Sequence, residues 1–217
     1  MIPRALLLVL LLPLAGCRTF GPSNDEKIDL LFWGRPSARD MDAILNKKDP
    51  RARSWAMLNL ARARDLRAAD YFMSALISPA HEESPLVRAT AAVALRMMGD
   101  PRALPALRDA CMDPNPLVRA DAVAAVGALG TEDDVPLLIK VLRGDLEGGG
   151  RQSAARALAN VGGDRAVQAL IFSLGDGDES VAFAAHRALV RLSGCDLPPR
   201  SHVWREWLAR GATPDAK

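Results

Sequence analysis

One pattern occurs twice in this chain, 31 residues apart, and that spacing constrains the fold more than any other feature. The first copy is Val-Arg-Ala-Thr-Ala at 87–91, followed by Leu95 and Gly99. The second is Val-Arg-Ala-Asp-Ala at 118–122, followed by Val126 and Gly130. A fixed period of about 20 to 50 residues is typical of proteins built from stacked repeats. It predicts a row of similar units, each burying its apolar face against its neighbours.

The same pattern recurs more loosely in three other segments, and its apolar positions have helical periodicity. Counted from the first residue of the Val-Arg pair, apolar or small residues fall at offsets 0, 4, 8 and 11, which form one stripe of a helix. Glycines follow as helix C-caps. These second helices start near Ala52, Val87, Val118, Gly150 and Val181, and partner helices are predicted at 40–48, 66–77, 102–112, 133–143 and 164–174.

These residues resemble a known family. The turn Asp113-Pro114 and the run Val-Arg-x-x-Ala-x-x-Ala-Leu-x-x-x-Gly at 87–99 resemble the HEAT repeat, in its bacterial form related to phycobilisome-lyase-type repeats. The resemblance covers residues 40–194 and implies an all-α fold. We expect a right-handed α-α superhelix (a HEAT/armadillo-like solenoid) of about five helix pairs with helical caps. Gly148-Gly149-Gly150 replaces the usual turn and core residue, which predicts a flexible loop.

The start of the chain has the pattern of a lipoprotein signal. Arg4 precedes an apolar run at 5–14 that is too short to span a bilayer. Leu14-Ala15-Gly16-Cys17 resembles the bacterial lipobox, which implies cleavage before Cys17 and lipidation of its thiol. Arg18 at the next position, by resemblance to sorting in Gram-negative bacteria, implies an outer-membrane protein facing the periplasm. The alternative is an ordinary secretory signal that happens to contain a cysteine.

The chain therefore divides into six predicted segments. Two of them have a second interpretation: the helix at 25–33 would instead lie on the membrane, and the last helix, with Trp204 and Trp207, would instead bind a partner. The segments are a signal peptide (1–16), a lipidated tether (17–24), an N-terminal capping helix (25–36), HEAT-like repeats (37–194), a C-terminal capping helix (195–211) and a disordered tail (212–217).

Charge and surface positions favour a protein partner. The net charge of +2 gives no general bias toward nucleic acid or anionic membrane, so we expect neither nucleic-acid binding nor a membrane contact beyond the lipid anchor. Outward positions on the second helices predict a mildly positive concave face suited to an acidic partner segment, although an ordinary solvated face would have the same pattern. The candidate partner-binding residues are Arg62, Arg96, Met97, Arg156, Asn160, Arg187 and Arg191. We expect a monomer.

The sequence has no recognisable catalytic or metal-binding motif. His81, His186 and His202 are isolated, and there is no Ser-His-Asp set, zinc-ligand spacing or phosphate-binding glycine loop. We therefore expect no catalytic residue, no metal and no cofactor. Cys111 and Cys195 lie two repeats apart, about 20 Å, which is too far for a disulfide.

Four arginines recur at the start of the second helices, and their regular spacing points to a structural role. We expect each of them to bond turn carbonyls or the aspartate of the preceding turn. They are Arg53, Arg88, Arg119 and Arg151.

These observations predict an envelope lipoprotein that acts as a non-catalytic protein-interaction scaffold or adaptor, and not an enzyme. The step from fold to function depends on the family resemblance. The alternative is a lyase-like or cofactor-handling HEAT-repeat enzyme. Such an enzyme needs a pocket with converging polar groups or a metal, and neither is evident from the order of the residues.

Overall fold

The structure is a computed structural model, and it describes residues 38–45, 48–77 and 82–211. This part of the chain is all-helical, without a strand, and its helices pack in adjacent pairs. The prediction of an all-α repeat fold is confirmed. The helices are α1 (Ala38–Leu45), α2 (Pro50–Arg62), α3 (Ala69–Ile77), α4 (Pro85–Met98), α5 (Leu104–Ala110), α6 (Pro116–Leu129), α7 (Val135–Gly144), α8 (Gly148–Val161), α9 (Asp164–Ser173), α10 (Glu179–Ser193) and α11 (Ser201–Ala209).

The second helices α2, α4, α6, α8 and α10 pack against one another in sequence and form one layer, and the first helices cover its other side. Small residues on the stripe allow the close packing. Ala91, Ala122 and Ala154 are all fully buried at equivalent positions. Helices α6 and α8 also approach closely, since a Cβ added to Gly127 would overlap the Cα and Cβ of Ala157. The sequence stripe therefore forms the core.

The four recurring arginines link each repeat to the next. Arg88 donates through Nη1 to the carbonyl oxygens of Glu82 (2.8 Å) and Glu83 (3.3 Å) in the preceding turn. Its Nε and Nη2 donate to Asp113, which lies in the following turn. The predicted bonds to turn carbonyls are present, but the carboxylate comes from the next repeat, because the helix start is stacked beside that repeat's turn. The four pairs, here called the arginine ladder, are Arg53–Glu82, Arg88–Asp113, Arg119–Asp145 and Arg151–Asp176.

The prediction of a flexible loop at residues 148–150 is wrong, because these residues form the first turn of α8. Their lack of side chains serves close packing. A Cβ on Gly148 would overlap the carboxylate of Asp178, and a Cβ on Gly150 would overlap that of Asp145. Asp145 is the ladder partner of Arg119. The glycines thus leave room for the carboxylates of two turns.

The last helix, α11, packs against α9 through a fully buried Trp204. His186 on α10 packs edge-on against the Trp204 ring, with 6.2 Å between the ring centroids. Trp204 also contacts Trp207 edge-on, at 5.7 Å. These contacts cover the apolar end of the last repeat. None of the helices in the described ranges is long and apolar enough to cross a membrane.

Candidate functional site

A cavity of about 630 Å³ lies between the start of α8, the start of α10 and the connector that leads to α11. Its polar lining comes from Gln152, Glu179, Ser180 and His186. Its apolar lining comes from Leu174, Ala182, Phe183 and Pro199. Its volume is in the range of small-molecule sites, and a mostly apolar wall with a few converging polar groups is typical of them. We call it the α8–α10 cavity.

His186 is held in one orientation within this wall. Its Nε2 lies 2.7 Å from the carbonyl oxygen of Leu197. A carbonyl oxygen only accepts, so Nε2 donates and the neutral imidazole keeps Nδ1 as its acceptor. The sequence interpretation of His186 as an isolated surface imidazole is therefore wrong, since the residue is half-buried and joins α10 to the connector.

Glu179 and Ser180 lie at the start of α10, two turns before His186. Asp178 caps this helix by accepting from the Ser180 backbone N–H (2.8 Å) and from its hydroxyl (2.7 Å). The Gln152 amide of α8 donates to the Ser180 carbonyl oxygen across the two helices, at 3.4 Å. Glu179 is exposed. A carboxylate and an imidazole that line the same cavity are the side-chain types that transfer protons in enzymes.

A second depression of about 490 Å³ lies between the outward faces of α8 and α10. It is lined by Arg156, Arg187 and Arg191 together with Phe183, and buried alanines of both helices line it too. We call it the arginine groove. Phe183, whose surface is 65% exposed, lines both the arginine groove and the α8–α10 cavity. The two depressions are therefore neighbours on one surface.

Four of the seven predicted partner-binding residues meet in this groove region. Arg156, Arg187 and Arg191 line the groove, and Asn160 accepts a hydrogen bond of 2.7 Å from Nη1 of Arg191. The other three lie on earlier repeats. Arg62 is exposed at the end of α2, Arg96 is exposed on α4, and Met97 is half-buried beside it. Four of the residues predicted from sequence thus form one cluster, and the other three lie apart from it on α2 and α4.

The alternative partner site, Trp204 and Trp207, is less accessible than the groove. Trp204 is fully buried and Trp207 is half-buried in the contact between the last helices. Within the described residues, the Trp204 Nε1–H has no hydrogen-bond partner. A partner that approached α11 would therefore touch Trp207 and not Trp204.

Burial shifts the pKa of titratable groups that lie outside both depressions. Burial raises the pKa of the Cys111 thiol to about 12. Burial also raises the pKa of the half-buried Asp121 carboxyl on α6, and the Arg96 guanidinium partly opposes this increase. Neither residue lines the α8–α10 cavity or the arginine groove.

Nothing in the described ranges groups three or more His, Cys, Asp or Glu side chains in an arrangement suited to a metal ion. Glu82, which follows His81, is a ladder carboxylate bonded to Arg53 at 2.8 Å. His81 lies outside the described residues, as do Cys17 and the predicted N-terminal segments up to residue 36. The predictions of no metal and no cofactor stay predictions.

Family models and solved structures resemble this chain. A model of HEAT repeats matches residues 41–127 and 73–148, and a model of the PBS lyase HEAT-like repeat matches residues 151–176. The complex of CpcE and CpcF of phycocyanin lyase from Nostoc sp. PCC7120 is 25% identical, with a TM-score of 0.61. The match covers 79% of this chain and 69% of that chain. An engineered protein is 22% identical over 68% of this chain and 76% of its own, with a TM-score of 0.47. No curated protein sequence matches.

These similarities contradict the prediction that the chain is not an enzyme, because the repeat model at 151–176 and the similar solved structure are both those of lyases. The prediction was wrong because it relied on the absence of converging polar groups from the linear sequence. Gln152, His186 and Pro199 are far apart in the chain and meet only when α8, α10 and the connector pack together. The available signal was the coincidence of Glu179, Phe183 and His186 on one helix at helical spacing.

Proposed function

The chain belongs to the HEAT-repeat family, and from this premise we propose that it is a lyase-like, cofactor-handling HEAT-repeat protein with its site in the α8–α10 cavity. The repeat layer is the scaffold that holds this site. The similarity to the phycocyanin lyase complex supports the lyase class. The observation that carries the proposal is the cavity itself. Glu179, Phe183 and His186 of α10 line it together with Gln152 of α8.

Each lining group has a role in the proposal. Phe183 and Leu174 provide apolar surface for the body of an organic cofactor, and Gln152 and Ser180 orient its polar groups. In an addition to a carbon–carbon double bond, a nucleophile bonds to one carbon and a proton is delivered to the neighbouring carbon, and elimination reverses both changes. We assign this transfer to Glu179 or to Nδ1 of His186, because both side chains line the cavity and neither belongs to the arginine ladder.

The test is the content of the protein isolated from its own organism. Absorbance spectra and mass spectrometry of the native and the denatured protein are expected to show one bound organic molecule per chain. Phe183→Ala should remove it, whereas Phe172→Ala should not, since Phe172 is similarly exposed (72%) but lies on α9 outside the cavity. Glu179→Gln should keep the molecule bound and slow its reaction, because Glu179 is assigned to proton transfer and not to binding. Wild-type protein with no bound molecule, or equal loss in both Phe variants, would contradict the proposal.

We further propose that the protein is anchored in the bacterial envelope by a lipid on Cys17 and faces the periplasm from the outer membrane. The support is the run Leu14-Ala15-Gly16-Cys17 after a basic start and an apolar stretch. Several acyl chains on one cysteine give a stable anchor without a spanning helix. The variant Cys17→Ala should lose both its fatty-acid label and its partition into membranes. A variant that keeps both would show that Cys17 is not the lipidated residue.

A further inference from the structure

The arginine groove has positive charge that the described part of the chain does not neutralise. Arg156 and Arg187 are exposed there and form no ion pair with another described residue. Acidic side chains are scarce on the second helices, where Asp121 and Glu179 are the acidic residues between α2 and α10. Neither of them lines the groove. An anionic ligand would therefore supply the missing countercharge.

The guanidinium of Arg191, the third arginine of the groove, is held in position by a hydrogen bond. Arg191 of α10 donates from Nη1 to Oδ1 of Asn160 on α8, which fixes its direction across the groove. The helices below are rigidly packed, since Ala184 and Ala188 line the groove and are also buried between them. Groups held in place before binding lose less conformational entropy when a ligand arrives. The arginines of the groove are thus attached to helices that are already packed together before a ligand binds.

Phe183 makes the groove amphipathic. Its ring is 65% exposed beside the arginines, so a ligand that covers it removes apolar surface from water. Arginine and aromatic residues together are enriched where proteins bind one another. A simple inorganic anion would leave this ring uncovered. The occupant that fits both features carries carboxylates and an apolar side chain.

We propose that the arginine groove binds an extended acidic segment of a partner protein, with carboxylates on Arg156, Arg187 and Arg191 and one apolar side chain against Phe183. An extended chain is narrow enough to lie between two parallel helix faces and places successive carboxylates along the arginines. The inference goes beyond the proposed function and does not depend on it, because the groove and the α8–α10 cavity share only Phe183 among their lining residues.

Nucleic acid is the less suitable anion. Strong binding to nucleic acid neutralises many phosphates along an extended basic surface. Here the first helices and their turns expose carboxylates, including Glu132, Asp133 and Asp164. The groove itself is lined by three arginines. A short acidic segment matches that limited extent.

The experiment measures fluorescence polarisation of a short fluorescein-labelled peptide in which glutamates flank one phenylalanine, titrated with the full chain at physiological salt. Arg156→Glu with Arg187→Glu should weaken binding at least tenfold. The matched control is Arg165→Glu with Arg205→Glu, which changes the net charge equally at exposed positions outside the groove and should alter affinity less than twofold. Thermal unfolding of both double variants checks that they fold.

Several results would overturn the proposal. They are absence of peptide binding to the wild type, equal weakening in both double variants, and equal binding of a peptide with glutamines in place of glutamates. Displacement by a single-stranded oligonucleotide that itself binds more tightly would assign the groove to nucleic acid instead. The assay contains no cofactor. Failure of the lyase proposal, seen as wild-type protein isolated without a bound molecule, would therefore leave this result unaffected.

Discussion

Arg88 and Asp113 form a two-pronged ion pair between successive repeats, with Nε–Oδ2 at 2.8 Å and Nη2–Oδ1 at 2.9 Å. Their side chains are only 3% and 2% exposed. Two parallel N–H···O bonds give such a pair both strength and a defined geometry. This pair of the arginine ladder therefore lies in the interior, and it joins two successive repeats by an ion pair.

Removing one member of this pair should strongly destabilise the protein. Asp113→Ala leaves the Arg88 charge buried without a counter-ion, which costs about 3–5 kcal/mol of unfolding free energy. Urea unfolding followed by circular dichroism measures the change. The control is Arg102→Ala in the pair with Asp100, where the arginine is exposed to solvent and only a small loss is expected. Adding Arg88→Met to Asp113→Ala should recover much of the stability, and a double variant as unstable as the single one would contradict this explanation.

The ladder also predicts loss of stability in acid. Hydrogen bonds from Arg119 and Arg151 lower the pKa values of Asp145 and Asp176 in the folded protein. Stability from a lowered carboxyl pKa is fully present above the unfolded value, about 3.9, and is lost as pH falls through the folded pKa. Thermal midpoints should therefore be flat near neutral pH and fall below about pH 4. Asp176→Asn should reduce that dependence, and an unchanged pH profile would count against it.

Asp121 should behave in the opposite way. Burial raises the pKa of its carboxyl, so the ionised form is destabilising at neutral pH. Because the folded state then binds its proton more tightly than the unfolded state, the penalty disappears as pH falls below the unfolded pKa. Asp121→Asn is expected to raise the thermal midpoint at pH 7 and to have no such effect at pH 3. Loss of stability at pH 7 would show that the carboxylate is needed.

Neighbouring glycines of α8 should respond oppositely to the same substitution. Gly150→Ala places a methyl group against the Asp145 carboxylate, which Arg119 holds with two bonds, so a loss of more than about 1 kcal/mol is expected. Gly149→Ala meets nothing within 4 Å and lies in a helical turn, so it should stabilise by up to about 1 kcal/mol. Denaturant midpoints of the two variants give the comparison. Equal effects would mean that the glycines serve flexibility and not packing.

The helices could be predicted because their cause is local. An apolar stripe at helical period and a glycine at Gly99 or Gly194 define a helix and its end without knowledge of its neighbours. The role of Gly148 could not be predicted, because the Asp178 carboxylate that requires the glycine belongs to a different turn. The ladder partner was misplaced for the same reason. The residue types indicated an ion pair, but only stacking decides which turn is adjacent.

The candidate site was harder to predict than the fold. The sequence identified Arg156, Arg187 and Arg191 as outward residues, since helical offset alone decides that property. It did not identify the α8–α10 cavity, because Gln152 and Pro199 meet only through tertiary packing. His186 was misjudged because the Leu197 carbonyl that holds it belongs to an irregular connector. The sequence therefore predicts which residues of a single helix face outward, but it does not predict the cavities that form between helices.

The direction of the ladder has a consequence for the order in which the repeats close. Arg88 precedes Asp113, the carboxylate that neutralises it, by 25 residues in the chain. When the chain emerges from its N-terminus, at the ribosome or on the far side of a membrane, a repeat that closed before this carboxylate appeared would enclose an unbalanced cation. We therefore expect each repeat to close only after the next turn has emerged. This requirement ends at α10, where Ala182 stands in place of the arginine and no later carboxylate has to be awaited.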